Sequence, residues 1–291
     1  MKLGVSSYSF SRLVRNGVMS QLDVIAKAKE MGFEVIEFST FQLSAGETPL
    51  SFAPRVRAEC DRVGIPVANY TIGADFLNAP GGWEAEAKRL EDEVRVAEIL
   101  GSPGMRHDAT RGFPPGYRGP RGFDDALPVL AKGCRAVAEF AAQRGIRTMM
   151  ENHGFFAQDS ERVEKLANAV NHPNFGLLVD IGNFLCADED PQLAVGRVAP
   201  YAFHVHVKDF HVKAGSEPNP GAGWFRSRGE NYLRGAIIGH GVVPIVPCLR
   251  ILRKAGYDGV LSVEFEGMED PLQGIALGLE NLRRYLAMAS D

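Results

Sequence analysis

The chain has 291 residues, of which 45% are hydrophobic and 23% are charged, and its formal net charge is −4. This balance offers nucleic acid no bulk attraction, and no stretch of about 18 uninterrupted apolar residues predicts a membrane span. Four scattered cysteines without a CxxC pair argue against a disulfide framework or a cysteine zinc site. The first residues do not resemble a secretory signal, so a cytoplasmic protein is expected.

Short apolar runs typical of β-strands alternate with helical patterns along the whole chain. In chain order, the eight strand-like runs are 3–10, 33–39, 65–73, 102–109, 146–153, 175–183, 201–209 and 259–267. The helical patterns are 21–31, 51–63, 83–100, 123–144, 160–170, 190–199, 244–255 and 271–288. Repeated βα units favour a parallel sheet, and eight of them close into a barrel more naturally than they form an open sheet.

This alternation predicts an α/β fold in which residues 1–291 form a (β/α)8 TIM barrel as a single domain. Two loops are long: residues 74–82 follow the third strand, and residues 210–243 follow the seventh. Long loops on the rim where the strands end usually shape a substrate pocket. A doubly wound open sheet is the alternative, but no GxGxxG phosphate-binding motif follows the first strand.

Charged or imidazole side chains end four successive strand patterns in the second half of the chain. They are Glu151 in TMMENHG, Asp180 in LLVDIGN, His206 in HVHVKD and Glu264 in LSVEFEG. Since side chains alternate between the two faces of a strand, all four should point into the barrel near one rim. Branched apolar residues are the usual filling there, so these side chains need another explanation.

A bound cation would explain why three carboxylates and one imidazole gather in one place. Buried carboxylates are costly when unpaired, and several close together repel one another. We therefore predict that these four side chains hold one divalent metal ion. Mn, Co, Mg or Zn would suit such a set of oxygen and nitrogen ligands. Ion pairs with Lys208 or Arg106 are the alternative explanation. Such pairs would account for one buried carboxylate more readily than for the whole set of four side chains.

The motifs MENHG, LLVDIGNF, HVHVKD and DGVLSVEFE resemble those of the xylose-isomerase-like TIM-barrel superfamily, and within it the sugar phosphate isomerase/epimerase group. The resemblance covers nearly the whole chain. It implies that Glu151, Asp180, His206 and Glu264 are metal ligands. In the ketose 3-epimerases of this group, the two glutamates exchange a proton on opposite faces of a cis-enediolate. The resemblance therefore implies that Glu151 and Glu264 are also the catalytic acid/base pair.

The sequence departs from those epimerases at two positions. Asn183 stands where they often carry a histidine, and Val212 stands where they carry an arginine. We expect His153, Asn183 and Lys208 to contact the substrate. His204 lies two residues before the proposed metal ligand in the same strand and is expected to be an interior histidine.

These observations together predict a metal-dependent isomerase or epimerase of carbohydrate metabolism. It would act on a small sugar or hydroxy-carbonyl compound by proton transfer through a metal-bound enediolate. Two alternatives stay open: a metal-dependent dehydratase of the inosose type, and a non-catalytic sugar-binding barrel. Endonuclease IV belongs to the same superfamily, but it needs more histidine ligands and a basic DNA face. We expect no nucleic-acid or membrane partner, and only the resemblance suggests a homo-oligomer.

Overall fold

Eight parallel strands form a closed barrel in the computed structural model, which describes residues 1–290. The barrel strands are β1 (Lys2–Ser6), β2 (Val35–Phe38), β3 (Val67–Ile72), β4 (Gly104–His107), β5 (Arg147–Glu151), β6 (Phe175–Asp180), β7 (Ala202–Val207) and β11 (Val260–Val263). Consecutive barrel strands are neighbours, and β11 closes the ring between β7 and β1. The predicted (β/α)8 architecture is confirmed, because each predicted strand overlaps one barrel strand.

Nine α-helices are present within residues 1–290. They are α1 (Ser11–Arg15), α2 (Gln21–Glu30), α3 (Pro49–Val63), α4 (Gly82–Leu100), α5 (Phe123–Ala142), α6 (Ser160–Val170), α7 (Pro191–Val198), α8 (Ile245–Lys254) and α9 (Pro271–Met288). Ser20 begins α2 in a capping box with Asp23, and Gly64 ends α3 with a φ of 73°. The short α1 is the helix that the sequence pattern did not predict. Within residues 1–290, no helix combines the length and the apolar character of a membrane span.

The two faces of each strand divide between the hydrophobic core and the interior of the barrel. Val205 and Val207 in β7, with Leu261 and Val263 in β11, are fully buried in the main hydrophobic core. His206 lies between the two valines, so its side chain points to the opposite face. Apolar packing on one face of the sheet thus directs polar side chains inward at the intervening positions.

The segment after β7 contains a second small sheet, which the sequence pattern did not predict for the long loop 210–243. The sheet is antiparallel, with the order β8 (Asp209–Lys213), β10 (Tyr232–Ala236) and β9 (Phe225–Arg226). The buried Asp209 carboxylate fixes the end of this segment. It accepts hydrogen bonds of 2.8–3.0 Å from the backbone N–H groups of Phe210, Gly239, Gly241 and Val243. These hydrogen bonds tie the first strand of the small sheet to the segment that follows its last strand.

Candidate active site

The carboxyl ends of four barrel strands place the four predicted ligands in one buried cluster. Glu151 and Asp180 are the last residues of β5 and β6, His206 lies near the end of β7, and Glu264 follows β11 directly. One potential ligand atom from each side chain lies within 4.8 Å of those from the other three. The structure therefore brings together all four residues that the sequence pattern selected.

The imidazole of His206 turns its Nδ1 atom toward the three carboxylates. This atom lies 3.5 Å from Glu151 Oε1, 3.4 Å from Glu264 Oε2 and 3.8 Å from Asp180 Oδ2. Among the described residues, His206 Nδ1 is buried and has no hydrogen-bond partner, whereas the buried Asp180 Oδ2 lacks a hydrogen bond but has Lys208 Nζ at 3.3 Å. Buried polar atoms are normally satisfied, so an unpartnered imidazole nitrogen that faces three carboxylates fits a bound cation.

Lys208 and Asn183 hold these carboxylates from below the rim. Lys208 Nζ lies 2.7 Å from Glu264 Oε2 and 3.3 Å from Asp180 Oδ2. Asn183 donates to Glu151 Oε1 at 3.1 Å and accepts from Lys208 at 3.3 Å. Lys208 also reaches the cavity above the cluster, whereas Asn183 is buried beside it. The predicted substrate contact of Asn183 would therefore require this side chain to leave Glu151.

On the other side of the cluster, a chain of polar side chains runs from Arg106 to the rim. Arg106 Nη2 lies 2.6 Å from Glu151 Oε2 and 2.8 Å from Asp108 Oδ1. The same Asp108 oxygen lies 3.0 Å from Nδ1 of His153, which lines the cavity and is half exposed. Asp108 therefore orients the imidazole of His153, and Arg106 orients the carboxylate of Glu151.

The inner end of the cluster contains Glu37, which sequence reasoning missed. Its carboxylate is fully buried and lies 2.6 Å from His206 Nε2 and 3.2 Å from His204 Nε2. His204 also pairs with Ser262 at 2.8 Å, as expected for an interior histidine. The available signal was the pattern FEVIEFS, because Glu37 is a charged residue in an otherwise apolar strand.

The formal charges of the buried side chains leave room for a dication. The buried carboxylates of Glu37, Glu151, Asp180 and Glu264 together carry four negative charges. Arg106 and Lys208 carry two positive charges, so the cluster has a net charge of −2 when its imidazoles are neutral. A divalent ion would balance this charge, which fits the donor set of three carboxylates and one imidazole.

The same charges set the pKa values of the carboxylates. Burial alone would raise the pKa of Glu151, but the charge of Arg106 together with the hydrogen bond and charge of His206 outweighs it, and the pKa falls below its usual range. The pKa of Glu264 is also well below normal, because Lys208 and His206 outweigh burial. Burial, together with the charges of Glu151 and Glu264, raises the pKa of Asp180. Both glutamates are therefore ionised at neutral pH, as a proton acceptor must be.

A cavity of about 230 Å³ opens above the cluster. Its walls include Tyr8, Thr71, His153 and Lys208, and the proposed ligands Glu151, His206 and Glu264 also line it. A neighbouring cavity of about 450 Å³ shares Tyr8 and also includes Phe225 of the small sheet. Polar groups that converge at the base of a cleft are typical of a small-molecule site.

Comparisons with known proteins identify the family. A family model described as the xylose isomerase-like TIM barrel matches residues 25–285. An L-ribulose-5-phosphate 3-epimerase, UlaE, from Salmonella paratyphi A is 23% identical over 278 residues, which are 92% of this chain and 90% of the relative. An inosose dehydratase from Lacticaseibacillus casei is 26% identical over 153 residues, which are 52% of this chain and only 50% of that relative.

Solved structures show the same fold at low sequence identity. An L-ribulose 3-epimerase has a TM-score of 0.73 at 18% identity, with 99% of this chain and 95% of the other covered. The probable 3-DHS dehydratase AsbF from Bacillus anthracis has a TM-score of 0.73 at 19% identity, with 97% and 99% covered. These likenesses establish the barrel, and both epimerases and dehydratases are among the similar proteins.

Proposed function

The chain belongs to the xylose isomerase-like TIM-barrel family, and we propose that it is a divalent-metal-dependent isomerase or epimerase of a small sugar or hydroxy-carbonyl compound. The observation that carries this proposal is the convergence of three carboxylates on His206 Nδ1 beneath a cavity, where this buried nitrogen has no hydrogen-bond partner among residues 1–290. The similarity to an L-ribulose-5-phosphate 3-epimerase over 90% of its length supports the same class of reaction.

We assign Glu151, Asp180, His206 and Glu264 as the ligands of one divalent ion. When bound, such an ion polarises a carbonyl group and its neighbouring hydroxyl, which acidifies the carbon between them. The side chains behind the ligands keep this arrangement rigid. Arg106 and Asn183 fix the two oxygens of Glu151, and Lys208 fixes Glu264.

We assign proton transfer to Glu151 and Glu264. Both carboxylates line the cavity, and both are ionised because of the cations beside them. They project from β5 and from the end of β11, which lie in different parts of the barrel ring. One carboxylate can therefore remove a proton from the substrate while the other returns a proton, as an epimerisation requires.

The remaining polar groups of the cavity would bind the substrate. His153 presents its imidazole to the cavity while Asp108 holds Nδ1, and Lys208 offers its ammonium group from the floor. Asn183 would act through Glu151 and Lys208, both of which it contacts. Hydroxyl and carbonyl oxygens of a sugar are the complementary partners of such donors.

One observation favours a dehydratase as the second candidate. Loss of water needs a general acid that protonates the departing hydroxyl. The hydrogen bond with Asp108 and the charges of Asp108 and Glu151 together outweigh burial and raise the pKa of His153, which favours the protonated imidazole at the edge of the cavity. The inosose dehydratase similarity agrees with this alternative but covers only about half of that relative.

A substrate screen in D₂O separates these functions. The protein is loaded in turn with Mn²⁺, Co²⁺, Mg²⁺ and Zn²⁺ and incubated with ketoses, aldoses, their phosphates and inososes. NMR that detects deuterium next to the carbonyl without loss of water supports an isomerase or epimerase. A product lighter by one water identifies the dehydratase. Full activity after chelation, or saturable sugar binding without turnover under every condition, would overturn the proposed enzyme.

A further inference from the structure

The proposed ligand His206 is held from behind by a carboxylate that no metal would need to touch. Glu37 Oε1 lies 2.6 Å from His206 Nε2, and this imidazole atom is on the opposite side of the ring from Nδ1. Both side chains are buried, at 0% and 1% exposure. We propose that Glu37 is a positioning residue, which fixes the orientation and tautomer of His206 so that the Nδ1 lone pair faces the metal site. This inference rests on the metal site proposed above.

The chemistry of imidazole explains why the contact has this effect. A neutral imidazole carries one N–H group and one lone pair, and the hydrogen bond at one nitrogen decides where each resides. A carboxylate can only accept, so Glu37 requires His206 Nε2 to be the donor. The lone pair then lies on Nδ1, which is 3.4–3.8 Å from three carboxylates.

Glu37 is itself fixed by further buried contacts. Asn69 donates to Glu37 Oε2 at 3.1 Å, and His204 Nε2 lies 3.2 Å from the same oxygen. The side chains of Glu37, Asn69, His204 and His206 are almost inaccessible to solvent. In such surroundings a hydrogen bond to a charged group is strong and rigid, so the ring of His206 cannot turn without breaking the contact with Glu37.

An alternative role for Glu37 is that of a metal ligand. Glu37, His204 and His206 also bring potential ligand atoms within 4.8 Å of one another. However, their facing atoms already contact each other, with Glu37 Oε1 and His206 Nε2 separated by 2.6 Å. This is the distance of a direct hydrogen bond, which leaves no space for an ion between the two atoms.

Metal affinity tests the positioning role without reliance on turnover. Wild type, Glu37→Gln and Glu37→Leu are titrated with Mn²⁺ while electron paramagnetic resonance measures the free ion. Loss of a hydrogen-bond partner behind a metal-bound histidine typically weakens affinity about 10- to 100-fold. We expect a loss near the lower value for Gln, which retains one acceptor oxygen, and near the upper value for Leu, which retains none.

A matched control is Glu93→Gln, because Glu93 is a partly buried glutamate that accepts a hydrogen bond from Tyr70 on the α4 side of the barrel. It should bind Mn²⁺ like the wild type.

Proton NMR of the Zn²⁺-loaded proteins provides a second readout. The His206 Nε2–H proton should be protected from exchange in the wild type and exposed or absent in Glu37→Leu, whereas a purely structural role predicts no selective change at this proton.

Each failure has a different meaning. If the wild type binds no metal, the proposed function is wrong. If folded Glu37→Leu and the wild type bind Mn²⁺ equally and keep the same His206 signal, the positioning role alone is wrong. A stoichiometry of two ions in the wild type that falls to one in Glu37→Gln would make Glu37 a ligand and also overturn the proposal. Circular dichroism establishes that each variant is folded.

Discussion

Removal of the Lys208 charge should destabilise the metal-free protein far more than the metal-loaded protein. Lys208 Nζ contacts Glu264 at 2.7 Å, Glu266 at 3.2 Å and Asp180 at 3.3 Å, and it is 4% exposed. In Lys208→Met the charge of the buried cluster becomes more negative by one, from −2 to −3 when its imidazoles are neutral. Removal of one partner from a buried ion pair costs roughly 3–5 kcal/mol, because the other charge remains buried.

A bound dication should offset this loss. The ammonium group of Lys208 repels a metal that binds the same carboxylates, and a dication and a unit positive charge about 5 Å apart repel by about 7 kcal/mol at an effective dielectric constant of about 20. The variant should therefore bind metal more tightly than the wild type. A metal concentration about 1,000 times the wild-type dissociation constant adds about 4 kcal/mol of stability to the wild type, and the same concentration should add more to the variant.

Urea unfolding with and without saturating Mn²⁺ measures both quantities in the same experiment. The expected result is a loss of about 3–5 kcal/mol in chelator and a clearly smaller loss in Mn²⁺. Lys165→Met is the control, because Lys165 forms an exposed ion pair with Asp124 and should change neither value measurably. An equal loss of stability with and without metal would refute the charge balance on which the metal assignment depends.

Three further predictions concern other parts of the molecule. Glu151→Gln and Glu264→Gln should each lower kcat by about 10²–10⁴-fold at saturating metal, measured by steady-state kinetics, because each removes a proton acceptor. Burial lowers the pKa of His107 to about 4. Because the unfolded chain binds this proton more readily, the free energy of unfolding should fall as the pH drops from about 6.5 toward 4. Urea unfolding of His107→Gln over the same pH range should show a smaller fall. Gly235→Ala should cost about 1–3 kcal/mol in urea unfolding, because its Cβ would lie 2.5 Å from the Glu266 backbone oxygen.

Much of the fold could be predicted from the sequence because each βα unit carries its own local signals. Apolar alternation marked all eight barrel strands, including the irregular β4, and the ends of the helices were marked by residues such as Ser20 and Gly64. The small sheet of β8, β9 and β10 was missed for a physical reason. Its strands pair across a glycine- and proline-rich connection at residues 214–224, and their partners are specified by packing on the barrel, not by periodicity.

The four clustered side chains were also readable from the sequence, because each ends an apolar strand and parallel strands end on one rim. Their roles as metal ligands and the substrate contacts of His153, Asn183 and Lys208 stay predictions. Glu37 was not found, since one acidic residue in an early strand has no sequence pattern that links it to His206, 169 positions later. That link arises only when the barrel closes.

Closure of the barrel also explains why so many charged groups can be buried together. Each carboxylate of the cluster faces a cation or an imidazole from a different strand: Arg106 comes from β4, His206 from β7, and Lys208 follows β7 directly. No single βα unit contains a balanced set, so a partly formed barrel would bury unpaired charge, which is strongly unfavourable. With neutral imidazoles, as a metal-bound His206 would be, Arg106 and Lys208 leave the four buried carboxylates two positive charges short. The fold therefore gathers more negative than positive charge beneath its cavity, and a divalent ion is the ligand that we propose for it.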